Sequence, residues 1–170
     1  ITAHENDKGL IGFINKKGQW VIEPKFYSTG DFSEGLASVE TEEGYGYIDK
    51  TGRFIIKPQF DMAFNFNEGI ADVCIDGEYT LINKKGDFIT SNKYDVVSNC
   101  LEGLIGVREN DKWGFIDKKG LTIAKPQFQD VHDFINGLAV VKPDDKYGYI
   151  DKHGNIVLDT VLEATTDFRN

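Results

Sequence analysis

Short runs of β-branched and aromatic residues alternate with polar, glycine-bearing breaks along the chain. In residues 36–41, Leu36, Ala37 and Val39 are apolar, and Glu42-Glu43-Gly44 follows as a turn cluster. Residues 45–49 are aromatic and β-branched, a strand by composition. Asp49-Lys50-Thr51-Gly52 is a tight-turn sequence: Asp accepts from the backbone that follows it, and Gly supplies a positive φ. Phe54-Ile55-Ile56 makes a further strand, which Pro58 is expected to end because proline donates no ladder hydrogen bond. The pattern predicts a three-stranded antiparallel meander. The connection over 60–68 is expected to turn Phe60, Phe64 and Phe66 inward, with room for no more than one short helical turn.

This pattern recurs without insertion or deletion. Gly12-Phe13-Ile14-Asn15-Lys16-Lys17-Gly18 returns at Gly46, Thr80, Gly114 and Gly148, each 34 residues after the last. Phe32-Ser33-Glu34-Gly35 and Pro24-Lys25-Phe26 return in the same phase. The chain of 170 residues is therefore read as one repeat domain, 1–170, with repeats 1–34, 35–68, 69–102, 103–136 and 137–170. Four columns are expected in the core. They are Ile14/Ile48/Ile82/Ile116/Ile150, Val21/Ile55/Ile89/Ile123/Val157, Phe26/Phe60/Tyr94/Phe128/Leu162 and Phe32/Phe66/Cys100/Phe134/Phe168. A unit this small cannot bury enough surface alone, so the columns must close by stacking on neighbouring repeats. A helical repeat of the same length is excluded by the recurring glycines and the β-branched, aromatic character of the apolar set. The predicted fold is all-β, five tandem 34-residue antiparallel β-meander repeats stacked as an open array or solenoid, with a closed five-bladed β-propeller as the alternative.

Lys112-Trp113-Gly114-Phe115-Ile116-Asp117-Lys118-Lys119-Gly120, followed by Ile123, Pro126, Phe128 and the stretch 134–139, resembles the WG-repeat family of bacterial proteins, named for its Trp-Gly pair. The other repeats read Ile11-Gly12, Tyr45-Gly46, Tyr79-Thr80 and Tyr147-Gly148, so an aromatic keeps the slot in three of these four. The resemblance implies tandem β-repeats that bind other macromolecules, and it brings no catalytic residues.

Composition narrows the partners. With 19 basic and 28 acidic residues the net charge is −9, which disfavours nucleic acid and anionic membranes. No apolar run reaches the ~20 residues of a membrane-spanning helix. Cys74 and Cys100 are the only cysteines, too few for a disulfide framework. No initiator Met opens the chain and residues 1–20 carry no signal pattern, so a fragment or processed product is expected, with an extracytoplasmic or cell-surface site favoured over the cytoplasm.

The polar residues offer little chemistry. His4, His132 and His153 fall in three different columns, without metal-ligand spacing. The Asp/Asn-Lys-x-Gly series lacks the alternating acids of a calcium loop. Glu34, Glu68 and Glu102 precede glycine, which suits capping of local amides or plain solvation. No catalytic residue, metal site or cofactor is predicted. Two features are candidate binding surfaces: one aromatic per repeat at Tyr45, Tyr79, Trp113 and Tyr147, and the turn-tip lysines Lys17, Lys85 and Lys119. The expected function is a non-enzymatic scaffold with a protein partner. Glycan or cell-wall binding through the aromatic column is one alternative, and self-assembly through unpaired strand edges is another.

Overall fold

Two-residue hairpin loops with positive φ begin the repeats. Ser33 and Leu36 exchange backbone hydrogen bonds of 2.9 and 3.0 Å across Glu34 and Gly35, whose φ values are 50° and 94°. The handedness of such a loop matches the twist of the strands it joins. Residues 67–70, 101–104 and 135–138 form the same loop, with Glu68, Glu102 and Asn136 at its first left-handed position.

The computed structural model describes the backbone of residues 1–162 and the side chains of residues 1–158. It is all-β across the described residues. The first sheet holds β1 (Thr2–Glu5), β2 (Ile11–Ile14) and β3 (Trp20–Phe26). The second holds β4 (Leu36–Thr41), β5 (Gly44–Asp49) and β6 (Phe54–Phe60), and the third β7 (Met62–Ala63), β8 (Ile70–Ile75) and β9 (Glu78–Asn83). The fourth comprises β10 (Val96–Val97), β11 (Leu104–Glu109), β12 (Lys112–Asp117) and β13 (Thr122–Phe128). The fifth comprises β14 (Asp130–Val131), β15 (Leu138–Lys142), β16 (Tyr147–Asp151) and β17 (Ile156–Leu162). Among the described residues every pairing is antiparallel, and none of the five sheets closes into a barrel. Residues 1–88 and 89–170 form two compact units.

The meander has one strand more than expected. A short lead strand precedes the three long ones as β7, β10 and β14, and as a single bridge, Thr29 to Val39, in the second sheet. The connection at 61–66 is thus extended rather than helical. Phe60 and Phe66 pack inward as expected, but Phe64 is exposed, because it follows the lead strand's outward face.

The third strand also departs from expectation. β6 does not stop at Pro58 but runs on to Phe60, and β3 and β13 likewise pass through Pro24 and Pro126. Each is the last strand of its sheet, where a missing N–H costs little, and each pairs with its neighbour through register shifts. Across it lies the repeating glycine. A methyl on Gly46 would stand 2.7 Å from the Ile56 carbonyl oxygen and 2.7 Å from the Pro58 nitrogen, and on Gly114 it would stand 2.5 and 2.7 Å from the Ala124 oxygen and Pro126 nitrogen. In the third repeat Thr80 replaces this glycine and Asn92 replaces the proline. There the third strand shrinks to one bridge, Ile82 to Phe88, and residues 89–93 belong to no strand.

The core lies between consecutive sheets. Phe13, Ile22 and Phe26 of the first sheet pack with Ala37, Val39 and Ile48 of the second. Tyr47, Ile56 and Phe60 of the second pack with Ala71, Val73 and Ile82 of the third. Phe115 and Phe128 of the fourth pack with Ala139, Val141 and Ile150 of the fifth. Ring pairs tie each hairpin to the loop that follows it: Phe13–Phe32, Tyr47–Phe66 and Phe115–Phe134, with centroids 4.8, 4.8 and 5.0 Å apart. Cys100 takes the loop position in the third repeat and is buried.

Three of the four expected columns are where they were placed, with Ile14 and Phe32 half-buried rather than fully enclosed. The side chains of Leu162 and Phe168 lie outside those described. The second column is displaced by one residue. Val21, Ile55 and Val157 are 44, 38 and 49% exposed, and Ile89 and Ile123 are half-buried, while Ile22, Ile56 and Ala124 are enclosed. Successive residues of a strand face opposite sides. With Phe60 inward, Pro58, Ile56 and Phe54 share its face, and Ile55, Lys57 and Gln59 face out.

Truncating Ile116→Ala should therefore cost about 2–5 kcal/mol in a thermal or urea melt, whereas Ile55→Ala should stay within about 0.5 kcal/mol of the parent. Gly46→Ala, which drives a methyl into backbone, should cost about 1–3 kcal/mol or more.

Candidate functional site

The Asp/Asn-Lys-x-Gly turns are self-contained. One carboxylate or amide oxygen of the first residue accepts the N–H groups two and four residues on: Asn15 at 2.8 and 3.1 Å, Asp117 at 2.8 and 2.9 Å, Asp151 at 2.9 and 2.9 Å. The Thr51 hydroxyl at 2.6 Å, aided by the Thr51 and Arg53 amides, holds the Asp49 carboxyl below its usual range. The Asn155 side chain does the same for Asp151. These oxygens are committed to the turn. Among the described residues no cluster of His, Cys, Asp or Glu is arranged to hold a metal ion.

The Glu-Gly loops do something the sequence did not disclose. The Glu34 carboxylate reaches past its own turn to the loop of the next repeat, accepting Gly69 N–H at 3.0 Å and pairing with Lys84 Nζ at 2.8 Å. Lys84 also donates to the Glu34 carbonyl at 3.0 Å. Glu102 repeats the arrangement: it accepts Asn136 and Gly137 N–H at 2.7 and 2.9 Å and pairs with Lys152 at 2.8 Å. In each case the lysine is the main cause that lowers the glutamate's pKa. The signal was present in the sequence. The first turn lysine recurs in every repeat, as Lys16, Lys50, Lys84, Lys118 and Lys152, while the second position varies among Lys, Thr and His.

The seven candidate binding residues fall into two settings. Tyr45, Tyr79, Trp113 and Tyr147 are all half-buried, each on the second long strand of its sheet. Tyr45 donates to Glu40 Oε2 at 3.1 Å, and the Tyr79 ring lies 6.1 Å from that of Phe64. Trp113 packs on the core of the fourth and fifth sheets, and Lys142 Nζ stands 5.4 Å from the Tyr147 ring centre. Lys17, Lys85 and Lys119 are exposed at turn tips.

Concavities open within residues 1–88. A groove of about 620 Å³ is bordered by Lys25, Tyr27, Glu42, Phe54 and Lys57. Tyr27 stands there half out of the surface, its hydroxyl donating to Glu42 at 3.2 Å. The second, of about 300 Å³, lies between the lead strands of the second and third sheets. Asp72, half-buried in β8, has its carboxyl pushed strongly up, from 3.8 to about 6, by loss of water. Burial of the Tyr47 hydroxyl, and then the Asp72 charge, raise its pKa; it donates to the Phe64 carbonyl at 2.7 Å.

Glu34→Gln should cost about 1 kcal/mol in urea denaturation at neutral pH, the scale of a charge-assisted bond plus an exposed ion pair. Glu34 titrates below its ordinary value in the fold, so this difference should fade as pH falls through the carboxylate range. Asp72 runs the other way. The folded chain holds its proton more tightly than the unfolded chain, so its contribution to stability declines as pH rises from 3.8 to about 6. Asp72→Asn should thus stabilise the fold at pH 7 by about 2 kcal/mol, a gain that vanishes below the unfolded pKa.

No curated protein matches the chain. Among solved structures, it resembles Hsv2 of Kluyveromyces lactis, a propeller-like β-repeat protein, at a TM-score of 0.52 and 11% identity over 88% of this chain and 57% of that one. A variant, KlHsv2 with loop 6CD replaced by a Gly-Ser linker, gives a TM-score of 0.54 and 11% identity over 82% and 54%. The chain spans little more than half the length of these structures. The likeness is one of fold alone. The model of the WG containing repeat matches residues 11–44, 45–79, 79–113, 113–147 and 147–170. With these matches laid over the five sheets, and with the glycine of the Trp-Gly pair explained by the strand that crosses it, the chain belongs to the WG-repeat family.

Proposed function

We propose that the chain is a non-enzymatic scaffold that binds a protein partner through its extended β surface. The observation that carries this reading is the outward set on the third strands. Val21 and Ile55 present branched apolar side chains to solvent, and a groove lined in part by Phe54 and Pro58 holds exposed Tyr27. An aromatic with one polar atom, in a groove with Phe54 and Pro58 and rimmed by lysines and glutamates, suits a protein interface, where such residues supply most of the binding energy. The net charge of −9 supports a partner that is neither nucleic acid nor anionic lipid.

The test is a capture experiment from the native source with parent and variant baits compared side by side. A partner retained by the parent and reduced at least about tenfold by Tyr27→Ala or Ile55→Asp supports the reading, since a hot-spot residue is worth that much. Equal capture by parent and variants, or turnover of a substrate by the purified chain, overturns it.

A further inference from the structure

The smaller concavity has a character the larger groove lacks. Its walls hold no cationic side chain and bring together Ser38, Asn65, Tyr45, Phe64 and Met62 beside Gly30. Ser38 is 3% exposed and faces this space, and its hydroxyl has no hydrogen-bond partner among the described residues. A buried hydroxyl without a partner is costly, and such atoms mark places where a further polar group belongs. The Ser38 Oγ and Asn65 Oδ1 converge over Gly30: a methyl there would stand 2.5 Å from each.

This combination occurs once in the repeat series. The position of Gly30 is held by Phe64, Ser98 and His132 in later repeats, and that of Ser38 by Asp72, Gly106 and Val140. Where a serine hydroxyl does return, at Ser98, it is already spent on the Gly106 amide at 2.9 Å. Structural features of this chain recur with its period, and this one does not.

We infer that the concavity is a binding site for a single neutral sugar ring. At about 300 Å³ it lies at the lower end of small-molecule sites. Its apolar side is made of the Tyr45 and Phe64 rings with Met62, and its polar side of three hydroxyls and an amide. A pyranose has the matching two-sided chemistry, with a C–H face for the rings and a hydroxyl rim for Ser28, Thr29, Ser38 and Asn65. The nearby carboxylate, Glu40, is bonded to the Tyr45 hydroxyl, which fixes that ring as a platform. This site stands apart from the protein-binding groove and does not depend on it.

Two-dimensional ¹H–¹⁵N NMR of the 170-residue chain, titrated with methyl pyranosides and N-acetylglucosamine and with glycerol as control, tests it. Shifts confined to residues 28–30, 38 and 62–65, saturating with one sugar and absent with glycerol, are expected. Gly30→Val should abolish them by filling the space, and Ser38→Ala should weaken binding about 2–10-fold, the value of one hydrogen bond. If Gly30→Val fails to fold, Ser38→Ala decides alone. The inference is overturned if no sugar shifts these amides, if glycerol shifts them equally, or if Ser38→Ala binds like the parent.

Discussion

The crossing of a proline-bearing strand over a glycine is the contact on which the first, second and fourth repeats depend. The third strand must pass close enough to the second for Phe26, Phe60 and Phe128 to enter the core beyond it. At Gly12, Gly46 and Gly114 that passage leaves no room for a side chain. The glycine that names the family is therefore a matter of close approach, not of left-handed backbone, since its φ is not among the positive ones. In the third repeat, where Thr80 replaces the glycine and Asn92 the proline, the crossing strand is reduced to the single bridge Ile82 to Phe88.

Repeats are joined by two kinds of bond that act at different depths. Inside, apolar side chains of the first and second, second and third, and fourth and fifth sheets share their cores. Outside, Glu34 and Glu102 bridge from one hairpin loop to the following loop's amides and to a lysine fifty residues on. The apolar contacts provide the energy. The glutamate bridges set the spacing, because a carboxylate holding two partners in a fixed geometry tolerates little sliding. A glutamate in the left-handed region is an unusual choice. Its reach across to the next loop accounts for its presence where asparagine or glycine would turn the chain more cheaply.

Much of this was legible because repetition averages out local ambiguity. The period, the strands, the turns and three core columns follow from residues that return in phase. What the sequence hid was mostly a question of parity. Val21 and Ile55 look as apolar as Ile22 and Ile56, and only a strand anchored at Phe60 and carried back through Pro58 tells which of the pair faces in. Pro58 itself misled, since proline stops a central strand and not an edge strand. The lead strands were too short to announce themselves: β7 and β10 have two residues each. The concavity beside Gly30 was invisible for the opposite reason, being the place where the repeats disagree.

Because the glycine and the proline it accommodates lie in the same repeat but on different strands, the array has preferred points of genetic exchange. Recombination between Pro58 and the next Glu-Gly loop transfers an intact pair. A breakpoint between Gly46 and Pro58, joined to the third repeat's sequence, would place Thr80 beneath a proline strand or leave a glycine with nothing above it. Tandem copies of this module can therefore be gained, lost or shuffled whole, while their two halves must be inherited together.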